Sequence, residues 1–102
     1  MFARLVTFGG RREQLDEFAR IGTEKVLPQL KRLAGFEGSL GLANRRSGEI
    51  VAVTLWESEE AMRATEGADY WLRAFGAEVA GGEVTGLDRY EVVFSEAWRA
   101  HP

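Results

Sequence analysis

The run Phe36 to Trp56, FEGSLGLANRRSGEIVAVTLW, decides how the rest of the chain is read. It holds two strand-like segments, Phe36 to Asn44 and Glu49 to Trp56, around the spacer Asn44-Arg45-Arg46-Ser47-Gly48. The spacer has the length of a hairpin loop, and Gly48 offers a left-handed position. The second segment is apolar on both sides, with Ile50, Ala52 and Trp56 alternating against Val51, Val53 and Leu55. A strand of this kind expects cover on both faces of its sheet.

Toward the N-terminus, Phe2 to Phe8 (FARLVTF) is rich in β-branched and aromatic residues and reads as another strand. Its alternation puts Phe2, Arg4, Val6 and Phe8 on one face, and Gly9-Gly10 ends it. From about Arg12 to Leu33 the period changes: Leu15, Phe18, Ala19, Gly22, Val26, Leu30 and Leu33 form the stripe of one long amphipathic helix. Pro28 lies inside that stripe and predicts a kink or restart near Val26-Leu27. Gly35 is the expected stop.

Toward the C-terminus, Ser58 is a good N-cap for a helix from Glu59 to about Glu66, with acids in its first turn. Gly67 interrupts, and Asp69 is placed to cap a second piece from Tyr70 to Val79 with Leu72, Phe75 and Val79 as its stripe. Val84 to Phe94 reads as a final strand, followed by a tail from Ser95 that carries Trp98. The order is β-α-β-β-α-β, an α+β ferredoxin-like arrangement. It predicts a four-stranded antiparallel sheet with the helices on one face. The other face then holds some of Leu40, Leu42, Val53, Leu55, Tyr90 and Phe94, too apolar for water. A homodimer through that open face is expected, sheet packed on sheet.

The 102 residues suit a single domain, 1–102, small enough to benefit from pairing. A formal net charge of -3 and short arginine pairs, Arg11-Arg12 and Arg45-Arg46, argue against nucleic acid or a membrane surface as partner. With no cysteine, disulfides, thiol catalysis and cysteine-ligated metals are excluded. His101, the single histidine, is next to the last residue, so the commonest general base and metal ligand is missing from the interior. No metal and no cofactor are expected. No apolar run approaches a membrane span, and a cytoplasmic location is the expectation.

Several of these stretches carry a resemblance. Ala34-Gly35-Phe36, the run Thr54-Leu55-Trp56-Glu57-Ser58-Glu59-Glu60-Ala61, Gly67-Ala68-Asp69 and the opening Leu5-Val6-Thr7-Phe8 resemble the antibiotic biosynthesis monooxygenase family. The resemblance implies a dimeric α/β barrel, and in the best-understood members the oxidation of aromatic phenols by molecular oxygen without metal or flavin. It assigns Trp56 to a substrate pocket. The positions matching the family's Asn, Tyr and Arg partners hold Ala52, Met62 and Gly76, with Arg73 one helical turn before the last. Haem-degrading proteins of the same fold use an Asn, a Trp and a His where this chain has Thr7, Thr65 and Phe75. Haem degradation is therefore not expected.

The candidate substrate-binding residues are Trp56, Tyr70, Arg73 and Phe75, and the expected ligand is a small aromatic molecule. Each has a plainer reading: core packing for Trp56 and Phe75, a solvated position for Arg73. Arg4 is the oddest placement, a charge on an apolar face that should find a carboxylate or reach the rim. Glu57, Glu59 and Glu60 are explained by the helix dipole. Two functions follow: a cofactor-independent monooxygenase on an aromatic or quinol-type substrate, or a non-catalytic binding or assembly module of the same fold. A third, an isomerase or cyclase, calls for an acid/base pair that the sequence does not display. A cavity bordered by Trp56 supports the enzyme, whereas a filled interior supports the module.

Overall fold

The computed structural model describes residues 1–67 and 82–96. Four strands, β1 (Phe2–Gly9), β2 (Phe36–Ala43), β3 (Glu49–Trp56) and β4 (Glu83–Glu91), form one antiparallel sheet in the order β2-β3-β1-β4. The helical segments pack on one face of it. This is the α+β ferredoxin-like fold that the element order predicts. The expected second helical piece, Tyr70 to Val79, and the tail with Trp98 lie outside the described residues. The final strand stops at Glu91, three residues short of Phe94, although the Val92 amide still donates to the Met1 carbonyl at 2.9 Å.

Directly paired residues share a face, so the register assigns every side chain in the sheet. Phe2, Arg4, Val6 and Phe8 pair with Trp56, Thr54, Ala52 and Ile50, and all eight face the helices. Val6, Phe8, Ile50 and the helix residue Leu15 form the buried core, with Phe18, Ala52 and Leu87 packed against it. The Phe8 and Phe18 rings meet at 5.6 Å with a tilt of 58°. On the other face Leu40, Leu42 and Tyr90 are 38%, 51% and 53% exposed, as expected of an uncovered apolar surface.

The long helix is one element in the periodicity and four in the structure. A short 3-10 turn, Arg12–Gln14, leads into α1 (Leu15–Ile21), then a π-helical stretch, Gly22–Val26, then α2 (Leu27–Leu30). The expected break near Val26-Leu27 thus takes the form of a widened ladder just before Pro28. Proline brings no N–H and its ring crowds the carbonyl four residues back, and the π stretch makes room for both. The helix ends at Leu30, not Leu33, because Arg32 and Leu33 donate to the carbonyls of Gln29 and Leu30, three residues back. Gly35 then turns the chain at φ 82, and a Cβ there would lie 2.5 Å from the Ala61 Cβ. Both facts require glycine.

The hairpin and the next cap form as the sequence predicts. Asn44 Oδ1 accepts from the Arg46 and Ser47 amides at 2.9 and 3.3 Å, and Gly48 sits at φ 85. Ser58 Oγ accepts from the Ala61 amide at 3.0 Å and opens α3 (Glu59–Ala64). Glu59 pairs with Arg63 on the exposed side of that helix, in keeping with a solvated acidic first turn.

Candidate functional site

A cavity of about 440 Å³ lies between the helical layer and the β2-β3-β1 part of the sheet. Its helical wall is apolar: Leu15, Phe18, Ile21, Val26, Leu27 and Leu30. Its floor combines Val6, Phe8 and Ile50 with a run of smaller residues. Ser39, Gly41 and Ala43 of β2 pair with Thr54, Ala52 and Ile50 of β3, and all six line the space. An irregularity between Phe36 and Gly38 sets that register, sending Leu40 and Leu42 to the opposite face of the sheet. The alternation small-Leu-small-Leu-small over Ser39 to Ala43 is therefore the local sequence signal for the cavity, and strand pattern reading passed over it.

Polar groups are few and localised. Ser39 and Thr54 stand side by side on neighbouring strands. Thr23 lines the helical side and donates back to the Ala19 carbonyl at 3.0 Å. Arg45, from the hairpin loop, borders the cavity and reaches Asp16 of α1 at 3.0 Å. Among the described residues no group of three or more His, Cys, Asp or Glu is placed to hold a metal ion. Nor is any described helix long and apolar enough to cross a membrane.

Trp56 is fully buried and does not border the cavity among its described lining. Its indole meets Phe36 edge-on at 5.6 Å, lies under the Arg4 guanidinium, and donates from Nε1 to Thr54 Oγ1 at 3.0 Å. Thr54 does line the cavity, so Trp56 acts on that space through one hydroxyl. Tyr70, Arg73 and Phe75 lie outside the described residues. Ala52 is in the cavity wall, and Met62 is buried on the inner side of α3.

Arg4 does not reach the rim. It is completely buried, donating from Nη2 to the Met62 carbonyl at 2.7 Å and to Thr65 Oγ1 at 3.1 Å. Met62 lies in the last turn of α3, where its carbonyl also accepts from the Thr65 amide at 3.3 Å and the Thr65 hydroxyl at 2.9 Å, and where the helix end favours a cation. A helix end delivered onto the sheet face thus contributes to holding Arg4 there. Nothing in the first strand by itself announces that partner.

Comparison with known proteins places the fold. The chain has the fold of the antibiotic biosynthesis monooxygenases. No family model matches it. The monooxygenase ActVA-Orf6 of Streptomyces coelicolor, solved with nanaomycin D, superposes with a TM-score of 0.68 at 23% identity, covering 98% of this chain and 92% of that one. SnoaB, a cofactor-independent oxygenase from Streptomyces nogalater, gives 0.59 at 14% identity, covering 92% of each chain. A mutant of MhuD, solved with two manganese protoporphyrin IX per active site, gives 0.68 at 20% identity over 96% of this chain and 100% of that one. In sequence, the uncharacterized protein Rv2557 of Mycobacterium tuberculosis is 32% identical over 82 residues, 80% of this chain. The matched stretch spans only 37% of that relative's length.

Proposed function

We propose that residues 1–102 are a single domain of the antibiotic biosynthesis monooxygenase family, binding a small aromatic molecule in this cavity and oxidising it with molecular oxygen. The observation that carries the reading is the cavity itself. Its volume of about 440 Å³ falls in the range of ligand sites, and its walls are apolar with a few hydroxyls at one place. An electron-rich phenolate reduces dioxygen without help from a metal. Radical recombination forms the new C–O bond, and loss of water from the resulting hydroperoxide leaves a quinone carbonyl. The protein's share is to exclude water, hold the ring and stabilise the phenolate oxygen.

The test is oxygen uptake by the metal-stripped protein with hydroquinones and anthrone-type phenols, autoxidation subtracted. Uptake above background that falls in Ala52→Leu, which narrows the cavity, supports the reading. No uptake from any compound removes the oxygenase. The second reading, binding without turnover, is favoured by Trp56 not bordering the cavity among the described residues and by Ala52 and Met62 standing where the family has Asn and Tyr. Tight binding of the same phenols without uptake would select it.

The open face of the sheet, with Leu40, Leu42 and Tyr90, is assigned to a second copy of the chain. The support is physical: β3 is apolar on both sides, and the helices cover one. A cytoplasmic location belongs to the same reading.

A further inference from the structure

We infer that Thr54 is the residue that orients the ligand, donating a hydrogen bond to a phenolate or quinone oxygen, and that Trp56 sets the direction of that bond. The inference rests on the cavity being a ligand site.

A threonine hydroxyl has one hydrogen to donate and two lone pairs to accept with, while an indole N–H only donates. The contact of 3.0 Å between Trp56 Nε1 and Thr54 Oγ1 therefore has one sense: the hydroxyl accepts. Among the described residues its own hydrogen meets only the Arg4 carbonyl, at 3.5 Å, the outer limit of a hydrogen bond. Thr54 lines the cavity. The hydroxyl is thus polarised by one strong bond and weakly held on its donor side, ready to donate a hydrogen bond to an acceptor in the cavity. The indole cannot swing away, because Phe36 meets its ring edge-on at 5.6 Å and the Arg4 guanidinium lies over it at 5.1 Å. Arg4 and Trp56 are positioning residues in this account, and Thr54 is the one that touches ligand. Aromatic molecules bearing an oxygen acceptor are selected over the bare ring.

The experiment measures, by equilibrium dialysis, the affinities of 1,4-naphthoquinone and naphthalene for wild type, Thr54→Val, Thr54→Ser and Trp56→Phe, each verified as folded. The chain has no cysteine for the quinone to alkylate. Wild type should prefer the quinone by about fivefold to tenfold, the worth of one hydrogen bond. Thr54→Val should abolish the preference while keeping naphthalene affinity, and Thr54→Ser should restore it. Trp56→Phe should weaken the preference, and should change nothing further once Thr54 is Val. A preference unaltered in Thr54→Val overturns the role of Thr54 and leaves the cavity reading standing. Failure of wild type to bind either compound overturns both.

Discussion

The guanidinium of Arg4 lies over the indole of Trp56, with Arg4 Cζ 5.1 Å from the ring centroid. The two residues lie at the same end of the paired strands β1 and β3, where Trp56 pairs with Phe2 and Arg4 with Thr54, and both are fully buried. Arg4 joins three elements at once: β1, which carries it, β3 through Trp56, and the end of α3 through the Met62 carbonyl. Arg4→Lys keeps the charge but loses the planar fork, and should cost about 1–2 kcal/mol. Arg4→Ala also loses the packing and should cost about 3–5 kcal/mol. Urea denaturation checks both, and a lysine variant as stable as wild type would show that the fork is not what stabilises.

The bond from Trp56 to Thr54 makes a stability prediction separate from ligand binding. Thr54→Val leaves the indole N–H without its acceptor, at a cost of about 1–2 kcal/mol. Adding Trp56→Phe removes the stranded donor. The double variant should therefore be more stable than the sum of the single losses predicts, by about 1 kcal/mol in a double-mutant cycle. Strict additivity would mean that the two groups are not coupled.

Acid should weaken the far end of the helix face. Arg89 donates to the Glu66 carboxylate, and this bond, opposed by partial desolvation and reinforced by the charges of Arg89, Arg4 and Arg63, holds Glu66 below its ordinary 4.5. A carboxyl depressed in the folded state contributes stability at neutral pH and loses it as pH falls through the folded value. The pair is partly exposed, so the contribution is about 1 kcal/mol or less. Glu66→Gln should flatten the fall of melting temperature below about pH 4.5. An unchanged acid slope would place the sensitivity in other carboxylates.

Two glycines should respond in opposite directions. Gly35→Ala forces a side chain into φ 82 and against Ala61, and should cost at least about 2 kcal/mol. Gly22 has helical backbone with no atom within 4 Å of a built Cβ, so Gly22→Ala should stabilise by about 0.5 kcal/mol. Thermal melts of the two variants side by side decide the matter, and a destabilised Gly22→Ala would mean that the π stretch does not tolerate the methyl.

Leu42 is 51% exposed on the open face of the sheet. If a second copy covers it, Leu42→Glu should shift sedimentation from dimer to monomer with little change in helix content. A wild type that sediments as a monomer at micromolar concentration would remove the dimer from the account.

Short-range chemistry made most of the fold legible. The hairpin loop, the Ser58 cap, the turn at Gly35 and the alternation of β1 and β3 are each written within a few residues, because turns, caps and strand faces depend on near neighbours; the helix itself stops earlier, at Leu30. The break before Pro28 was legible for the same reason, but its form as a π stretch was not. Several distortions of the ladder relieve the same proline, and the residue pattern does not choose among them.

From the sequence alone come the order of elements, the two-sided apolarity of β3, and the absence of cysteine and of any histidine away from the end of the chain. Tertiary structure alone decided where empty space lies and which polar groups meet. The cavity exists because Ser39, Gly41, Ala43 and Ala52, from two strands, are brought opposite helices that do not fill the gap they leave. Its volume is a difference between distant surfaces, and no local period encodes a difference. Likewise Arg4 meets Met62 and Thr65 across 58 and 61 residues of chain, and the indole of Trp56 packs beneath that arginine. A motif names a residue type at a position; the burial around it decides whether that residue touches ligand or acts through Thr54.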